Sequence, residues 1–192
     1  MERLWTPWRM SYIGGGSQPD GCIFCLKPAE QRDEENLILY RGEHAYVLLN
    51  LYPYNSGHAL VVPYLHTGDF AGLPPAVGAD VLALTQRTVA ALTAEYQPMG
   101  FNIGLNLGHV AGGSISAHLH VHIVPRWEGD TNFMPITADT KVLPETLEQT
   151  YRRLRPRLVA PHPLPPSPAR GRGGTAASHR SENSTPRAPS QG

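Results

Sequence analysis

The chain has 192 residues, 41% of them hydrophobic, which suits one domain with a buried core and leaves no room for a second full domain. Its formal net charge is +0, which excludes the strongly basic surface typical of nucleic-acid-binding proteins. It contains no run of eighteen apolar residues and no apolar leader at its start, so we expect a cytoplasmic protein without a membrane partner.

Short apolar runs bounded by turn residues predict five strands, which in chain order are Leu37–Tyr40, Ala45–Asn50, His58–Pro63, Phe101–Asn106 and His118–Pro125. Apolar residues at helical spacing predict one helix from Ala76 to Tyr96, and another from Glu145 to Arg155 that ends at Pro156. Strands grouped around two helices, without regular alternation, predict an α+β fold with a mainly antiparallel sheet.

The composition changes after Ala160, where the last 32 residues contain seven prolines, many small polar residues and almost no large apolar ones. This pattern predicts a disordered tail, which is either a solvated appendage or an arm that binds a partner. We therefore divide the chain into an N-terminal arm (1–21), a folded domain (22–159) and the tail (160–192).

The most informative segment is the predicted last strand, in which histidines alternate with apolar residues. Side chains of His118, His120 and His122 would share one face, with Cα atoms about 6.6 Å apart. Such histidines can serve a nucleophile and its assistants, or they can bind a metal that activates water. A polar sheet face without chemistry is the third interpretation.

A glycine-rich loop, Asn106 to Ser114, immediately precedes this strand. Its backbone N–H groups can form a nest for an anion such as a phosphate beside the histidine face. A glycine loop alone is more often a simple turn, and its position before three histidines is what favours the phosphate interpretation.

The alternating histidines, followed by two apolar residues, resemble the signature of the histidine triad (HIT) family. The run from Asn50 through Pro53 to Gly57-His58, and then Val61-Val62-Pro63 and His66, is similar to a second pattern of that family. The resemblance covers roughly residues 20–155. It implies a HIT-like fold, a homodimer or tetramer, and an enzyme that acts on nucleotides without an organic cofactor.

The resemblance also implies roles for individual side chains. His120 corresponds to the nucleophile, His118 would orient it, and His122 would contact the phosphate. His58 would pack beside the triad, unless it is only a buried, hydrogen-bonded histidine. The residues in ribose- and phosphate-binding positions are Asn50, Asn106, Gly113 and Ser114. Asn50 alternatively stabilises a turn.

Ser114 and His118 are separated by one residue more than in the commonest branches of the HIT family. This longer loop is similar to a bacterial subgroup that includes diadenosine tetraphosphate phosphorylases, and so are the segments from Trp5 to Met10 and from Pro125 to Met134. In that subgroup Trp127 would lie next to the base or the phosphates. The alternative is a tryptophan that packs at a subunit interface.

Cys22 and Cys25, the only cysteines, have the spacing of a metal knuckle, and two ligands do not complete a tetrahedral site. The resemblance implies a structural zinc with His66 and His118 as the remaining ligands. A redox pair and two unmetallated cysteines are the alternatives.

We therefore expect cleavage of a dinucleoside polyphosphate at its α-phosphate through a nucleotidyl-histidine, with inorganic phosphate as the second substrate. A HIT-type hydrolase, with phosphoramidates or dinucleoside polyphosphates as substrates, is one alternative. A nucleotide-binding or zinc-stabilised scaffold without turnover is the other.

Overall fold

A computed structural model describes residues 21–112, 115–130 and 144–160. Within these ranges the chain forms five strands: β1 (Ile38–Arg41), β2 (Ala45–Leu49), β3 (Ala59–Pro63), β4 (Gly100–Gly104) and β5 (Val121–Arg126). It also forms three α-helices: α1 (Ile23–Ala29), α2 (Pro75–Tyr96) and α3 (Leu147–Val159). A short 3₁₀ turn spans His109–Ala111.

The five strands form one sheet in the order β1-β2-β3-β5-β4, and every neighbouring pair is antiparallel. β5, which carries His122, lies between β3 and β4, and His122 pairs with Leu60 on one side and Gly104 on the other. The α+β fold with a mainly antiparallel sheet is thus confirmed, and the histidine strand is supported on both sides.

Side chains alternate between two apolar layers, one on each face of the sheet. Helices α2 and α3 cover the first face, where the larger core includes Val47, Val61, Ile123, Leu92 and Leu158. The second face carries a smaller core, in which Phe24 of α1 packs with residues of β1, β2 and β3. Leu60 belongs to the smaller core, so its sheet partner His122 faces the side of α1.

The long helix agrees with its prediction, and the other two helices require corrections. α3 begins two residues later than predicted because Thr146 is its N-cap and exchanges side-chain bonds with Gln149. The prediction that Pro156 ends this helix is wrong. The helix continues to Val159, where Leu158 is fully buried and its carbonyl oxygen accepts a bond from Arg87 at 2.8 Å.

The strand bounds also differ from the predicted ones. β4 ends at Gly104, before Asn106, and β5 begins only at Val121, so His118 and His120 precede the sheet. Helix α1 was not predicted, because seven residues that include Pro28 are too few to show a helical period. The predicted tail and most of the N-terminal arm lie outside the described residues. No helix among the described residues has the length and apolarity needed to cross a bilayer.

Leu92 of α2 is fully buried against the sheet, whereas Leu82 of the same helix is 60% exposed. We predict that Leu92→Ala lowers the free energy of unfolding by about 2–5 kcal/mol, because it removes buried methyl groups and leaves a cavity. Leu82→Ala, the matched control, should change it by less than about 0.5 kcal/mol. Urea denaturation measures both values, and equal losses would contradict this assignment of the core.

Candidate active site and metal-ligand cluster

The segment that carries His118 and His120 precedes β5 and does not join the ladder of the sheet. The backbone N–H of Leu119 instead donates to the carbonyl oxygen of Thr67 at 2.8 Å, in the loop that follows β3. The rings of His120 and His122 nevertheless lie side by side, with centroids 4.9 Å apart. The histidine segment is therefore held by the β3 loop on one side and continues directly into β5.

His120 is 7% exposed, and its Nδ1 lies 2.9 Å from the carbonyl oxygen of His118. A carbonyl oxygen only accepts hydrogen bonds, so Nδ1 carries the proton of the neutral ring and Nε2 carries the lone pair. Burial lowers the pKa of His120 below its ordinary value of 6.5, and the bond to the His118 carbonyl offsets part of that effect. The ring is thus a neutral imidazole with a bare nitrogen, as nucleophilic attack requires.

His58 and His122 form a second oriented pair. The backbone N–H of Tyr54 donates to Nδ1 of His58 at 3.1 Å, so the proton of the neutral His58 ring is on Nε2. That atom lies 3.0 Å from Nδ1 of His122 and donates to it, which leaves the proton of neutral His122 on its own Nε2. These hydrogen bonds leave a donor N–H at Nε2 of His122, whereas Nε2 of His120 carries a lone pair.

The turn before β3 holds this pair in position. Gly57 has a φ of +77°, and a Cβ atom there would lie 2.8 Å from Cδ2 of Leu92, so the turn requires glycine. Asn50 accepts a bond from the N–H of Tyr52 at 3.2 Å, and its Nδ2 lies 3.3 Å from Nδ1 of His58. Asn50 thus stabilises the turn, as its alternative interpretation expected, and it also lies beside the histidines.

The four predicted metal ligands come together. Nδ1 of His118 lies 3.3 Å from Sγ of Cys22 and 3.6 Å from Sγ of Cys25, and Nδ1 of His66 lies 3.3 Å from Sγ of Cys25. All four donor atoms are within 4.8 Å of one another. Sulfur and imidazole ligands around a tetrahedral zinc are about 3.6 Å apart, given the usual bond lengths, so these distances suit such an ion.

The chemistry of the donors agrees with their spacing. Nε2 of His118 donates to the carbonyl oxygen of Pro63 at 2.8 Å, which leaves Nδ1 unprotonated and aimed at the sulfurs. Burial lowers the pKa of His118 and keeps its ring neutral, while burial and the neighbouring Cys22 raise the pKa of the Cys25 thiol. A divalent cation would relieve the repulsion between two thiolates, so the cluster is suited to a metal ion.

The predicted substrate-binding residues lie in different places. Asn106 lines a cavity of about 610 Å³ together with His122. Trp127 lines another cavity, of about 730 Å³, with Asn55 and Tyr96. Gly113 and Ser114 lie outside the described residues.

Two aromatic residues of the site were missed by sequence reasoning. The ring of Phe24, between the two cysteines, has its centroid 5.0 Å from that of His120 and 5.5 Å from that of His118. Tyr54 lies against His58 at 4.7 Å and nearly parallel to His122 at 6.2 Å. Tyr54 lies four residues before His58 along the chain, which was the available signal for it, whereas no comparable signal pointed to Phe24.

Comparisons with known proteins agree with this geometry. The model of the HIT domain family matches residues 31–129. An AP-4-A phosphorylase of Mycobacterium tuberculosis (strain CDC 1551 / Oshkosh) is 43% identical over 161 residues, covering 80% of this chain and 83% of the relative.

Two solved structures are similar. A Zn-bound histidine triad family protein from Mycobacterium smegmatis has a TM-score of 0.57 and 29% identity, and covers 72% of this chain and 93% of its own. A hypothetical histidine triad nucleotide-binding protein from Sulfolobus tokodaii strain7 has a TM-score of 0.59 and 25% identity, with coverage of 71% and 91%.

The hydrogen bonds predict opposite neutral tautomers for two buried histidines. His120 should carry its proton on Nδ1, because the His118 carbonyl accepts from it, and His58 should carry its proton on Nε2, because Tyr54 donates to Nδ1. Nitrogen-15 NMR of histidine-labelled protein, at a pH where both rings are neutral, distinguishes the two forms. The same tautomer in both rings would contradict this arrangement.

Proposed function

Because this chain belongs to the HIT-domain family of nucleotidyl-transferring and hydrolysing enzymes, we propose that it cleaves a dinucleoside polyphosphate, diadenosine tetraphosphate in particular, by phosphorolysis to ADP and ATP. One observation carries this proposal: His120 is buried, neutral and anchored through Nδ1, so that Nε2 is available for attack on phosphorus. Phosphorolysis rather than hydrolysis is favoured by the 43% identity to the AP-4-A phosphorylase.

The reaction consists of two in-line displacements at one α-phosphorus. Nε2 of His120 forms a bond to phosphorus while the bond to the bridging oxygen breaks, and ATP leaves with that oxygen. An oxygen of inorganic phosphate then attacks the same phosphorus and expels His120, which releases ADP. The proton on Nδ1 of His120 stays hydrogen-bonded to the His118 carbonyl in both steps.

His122 acts as the electrostatic partner of the nucleophile. Its Nε2 proton, set by the bond from His58 to Nδ1, is donated to a phosphate oxygen as negative charge develops there. His58 is a positioning residue, since it acts through His122. In the same way His118 positions His120 through its carbonyl oxygen.

The remaining substrate contacts follow the family resemblance. Asn50 lies beside His58 at the end of β2, and Asn106 lines the cavity next to His122. On the family resemblance we assign Asn50 to the ribose and Asn106, Gly113 and Ser114 to the phosphates, and the last two lie outside the described residues. Trp127 is assigned to the base or the phosphates, and the cavity it lines extends from Asn55.

We also propose a structural zinc in the cluster of Cys22, Cys25, His66 and His118. Four protein ligands leave no open position for water, so this metal supplies stability rather than chemistry. The support is the spacing of the four donor atoms and the Pro63 carbonyl that holds His118.

The proposal includes an assembly of two or four copies, as the family resemblance implies. Among the described residues β4 has a sheet neighbour on only one side, β5, so its other edge offers backbone groups to a second copy. Sedimentation of the full chain measures the assembly, and a monomer at micromolar concentration would contradict it.

We predict that the protein converts diadenosine tetraphosphate to ADP and ATP only when inorganic phosphate is present. His120→Asn should lower kcat by about 10³-fold or more, because no other neutral imidazole replaces its Nε2. Chromatography of the products measures both. Gln86→Ala, which alters an exposed residue of α2 on the other face of the sheet, should leave the rate unchanged.

Other outcomes of this assay overturn specific parts of the proposal. AMP and ATP, or two ADP, formed without phosphate would identify a hydrolase. Nucleotide binding without products would identify a scaffold, and full activity of His120→Asn would exclude the covalent mechanism.

Metal analysis of chelator-washed protein should find about one zinc per chain. Cys25→Ser should lose most of that zinc and lower the thermal unfolding midpoint by several degrees, because it removes one of the four ligands. Gln86→Ala is again the control and should retain both the zinc and the unfolding midpoint. Less than about half an equivalent of zinc in the parent protein would contradict the structural site.

A further inference from the structure

The cavity of about 610 Å³ next to His122 contributes only His122 and Asn106 to the steps described above, and the rest of its lining has no role there. We call it the distal shelf and define it by six of its lining residues: Tyr54, Asn102, Gly104, Asn106, His122 and Arg126. Its floor consists of the paired strands β4 and β5, on which Gly104 lies opposite His122 and Asn102 opposite Val124. Side chains two residues apart on each strand share a face, so this floor is on the side of the catalytic histidines.

The distal shelf starts at the reaction centre and leads away from it. His122 forms one end, and its ring centroid is 4.9 Å from that of His120. Arg126 forms the other end, four residues further along β5, which corresponds to about 13 Å of extended chain. A leaving group that departs from the α-phosphorus on the His122 side therefore lies along the shelf. The shelf is long enough for a phosphate chain and part of a nucleoside.

The far end of the distal shelf presents oriented N–H groups. Arg126 donates from Nε and one terminal nitrogen to Asp130, at 2.6 and 2.9 Å, and from the other terminal nitrogen to Oδ1 of Asn102 at 2.7 Å. A guanidinium has five N–H donors, so two are not used in these bonds within the described part of the chain. Because Oδ1 of Asn102 accepts from Arg126, Nδ2 of Asn102 is also a donor. The carboxylate of Asp130 lines the same cavity and is paired with Arg126, so the donors that remain for phosphate oxygens are two N–H groups of the guanidinium and Nδ2 of Asn102.

The near end offers both polar and aromatic contacts. Asn106, which the family resemblance places beside the phosphates, lines the same cavity as His122. The ring of Tyr54 lies at 13° to that of His122 and forms part of the wall. The lining thus offers N–H donors at both ends, which suits a chain of phosphates that begins at the cleaved bond.

The floor is open because residue 104 is a glycine. A Cβ atom built there has no neighbour within 4 Å, and the backbone does not have a positive φ. A larger side chain is therefore compatible with the fold and would stand in the shelf beside His122. β-branched residues are moreover favoured in strands. This position allows the shelf to be blocked without disturbing the histidines.

We propose that the distal shelf binds the leaving nucleotide of the substrate, that is, the phosphates beyond the cleaved bond and the second nucleoside. This inference rests on the proposed function and goes further, because it assigns to Gly104, Asn102 and Arg126 the selection of dinucleotides over mononucleotides. The nucleotide that becomes attached to His120 shares only His122 and Asn106 with the shelf, and its binding does not depend on Gly104, Asn102 or Arg126.

The test measures binding to full-length protein that carries His120→Asn, so that no turnover occurs. Calorimetry gives Kd for diadenosine tetraphosphate, which has both nucleotides, and for AMP, which fills only the nucleophile side. Adding Gly104→Val should raise Kd for the dinucleotide by about tenfold or more and change Kd for AMP by less than about twofold. Gly78→Ala, an equally unobstructed glycine on α2 and outside the shelf, should change neither value.

A second variant tests the electrostatic part of the inference. Asn102→Asp places a carboxylate near the distal phosphates, so it should also weaken binding of the dinucleotide more than that of AMP, and added salt should reduce the difference. Equal effects on both ligands, or no effect of either variant, would overturn the distal shelf. If the His120→Asn parent binds neither ligand, the proposed function itself fails, and that outcome is distinct from the others.

Discussion

The hydrogen bond from Nδ1 of His120 to the carbonyl oxygen of His118 is the contact on which the site depends. It selects the tautomer in which Nε2 is bare, and it fixes the plane of the ring. The carbonyl that accepts this bond can hold its position only if His118 is itself immobile. Its ring is held at one nitrogen by Pro63 and faces Cys22 and Cys25 with the other. His118 thus belongs to both arrangements. Its side chain lies in the metal-ligand cluster, and its backbone carbonyl oxygen holds the ring of His120.

The alternation of histidines predicted that their side chains lie together, because extended chain places every second side chain on one side, and the rings of His120 and His122 are indeed adjacent. It placed three histidines together whether or not all of them belong to the sheet. The same pattern placed the start of β5 too early, because the N–H of Leu119 donates to Thr67 rather than to β3, and the strand begins only at Val121. Periodicity reports extended backbone, and it does not report which neighbour accepts the hydrogen bonds.

Other differences have equally local causes. Pro156 lacks an N–H donor and would normally end a helix, but burial of Leu158 and the bonds from Arg87 extend α3 beyond it. Phe24 was overlooked because its contact with His120 depends on α1 folding over the second face of the sheet, and no pattern within seven residues indicates that packing. Long-range contacts of this kind follow from the assembled fold, whereas the cluster of Cys22, Cys25, His66 and His118 and the proposed nucleophile were expected from the family resemblance.

The position of the histidine segment outside the sheet has a consequence for local stability. Residues 115–120 are held by a few bonds to the β3 loop, and Gly68 approaches Ser116 so closely that a Cβ there would lie 2.6 Å from its carbonyl oxygen. Segments with few ladder bonds open at a lower free energy than a sheet does. Amide protons of this segment should therefore exchange with solvent well before those of β2 and β3. His120 should thus lie in a unit that opens without global unfolding, with the close approach of Gly68 to Ser116 opposing that opening.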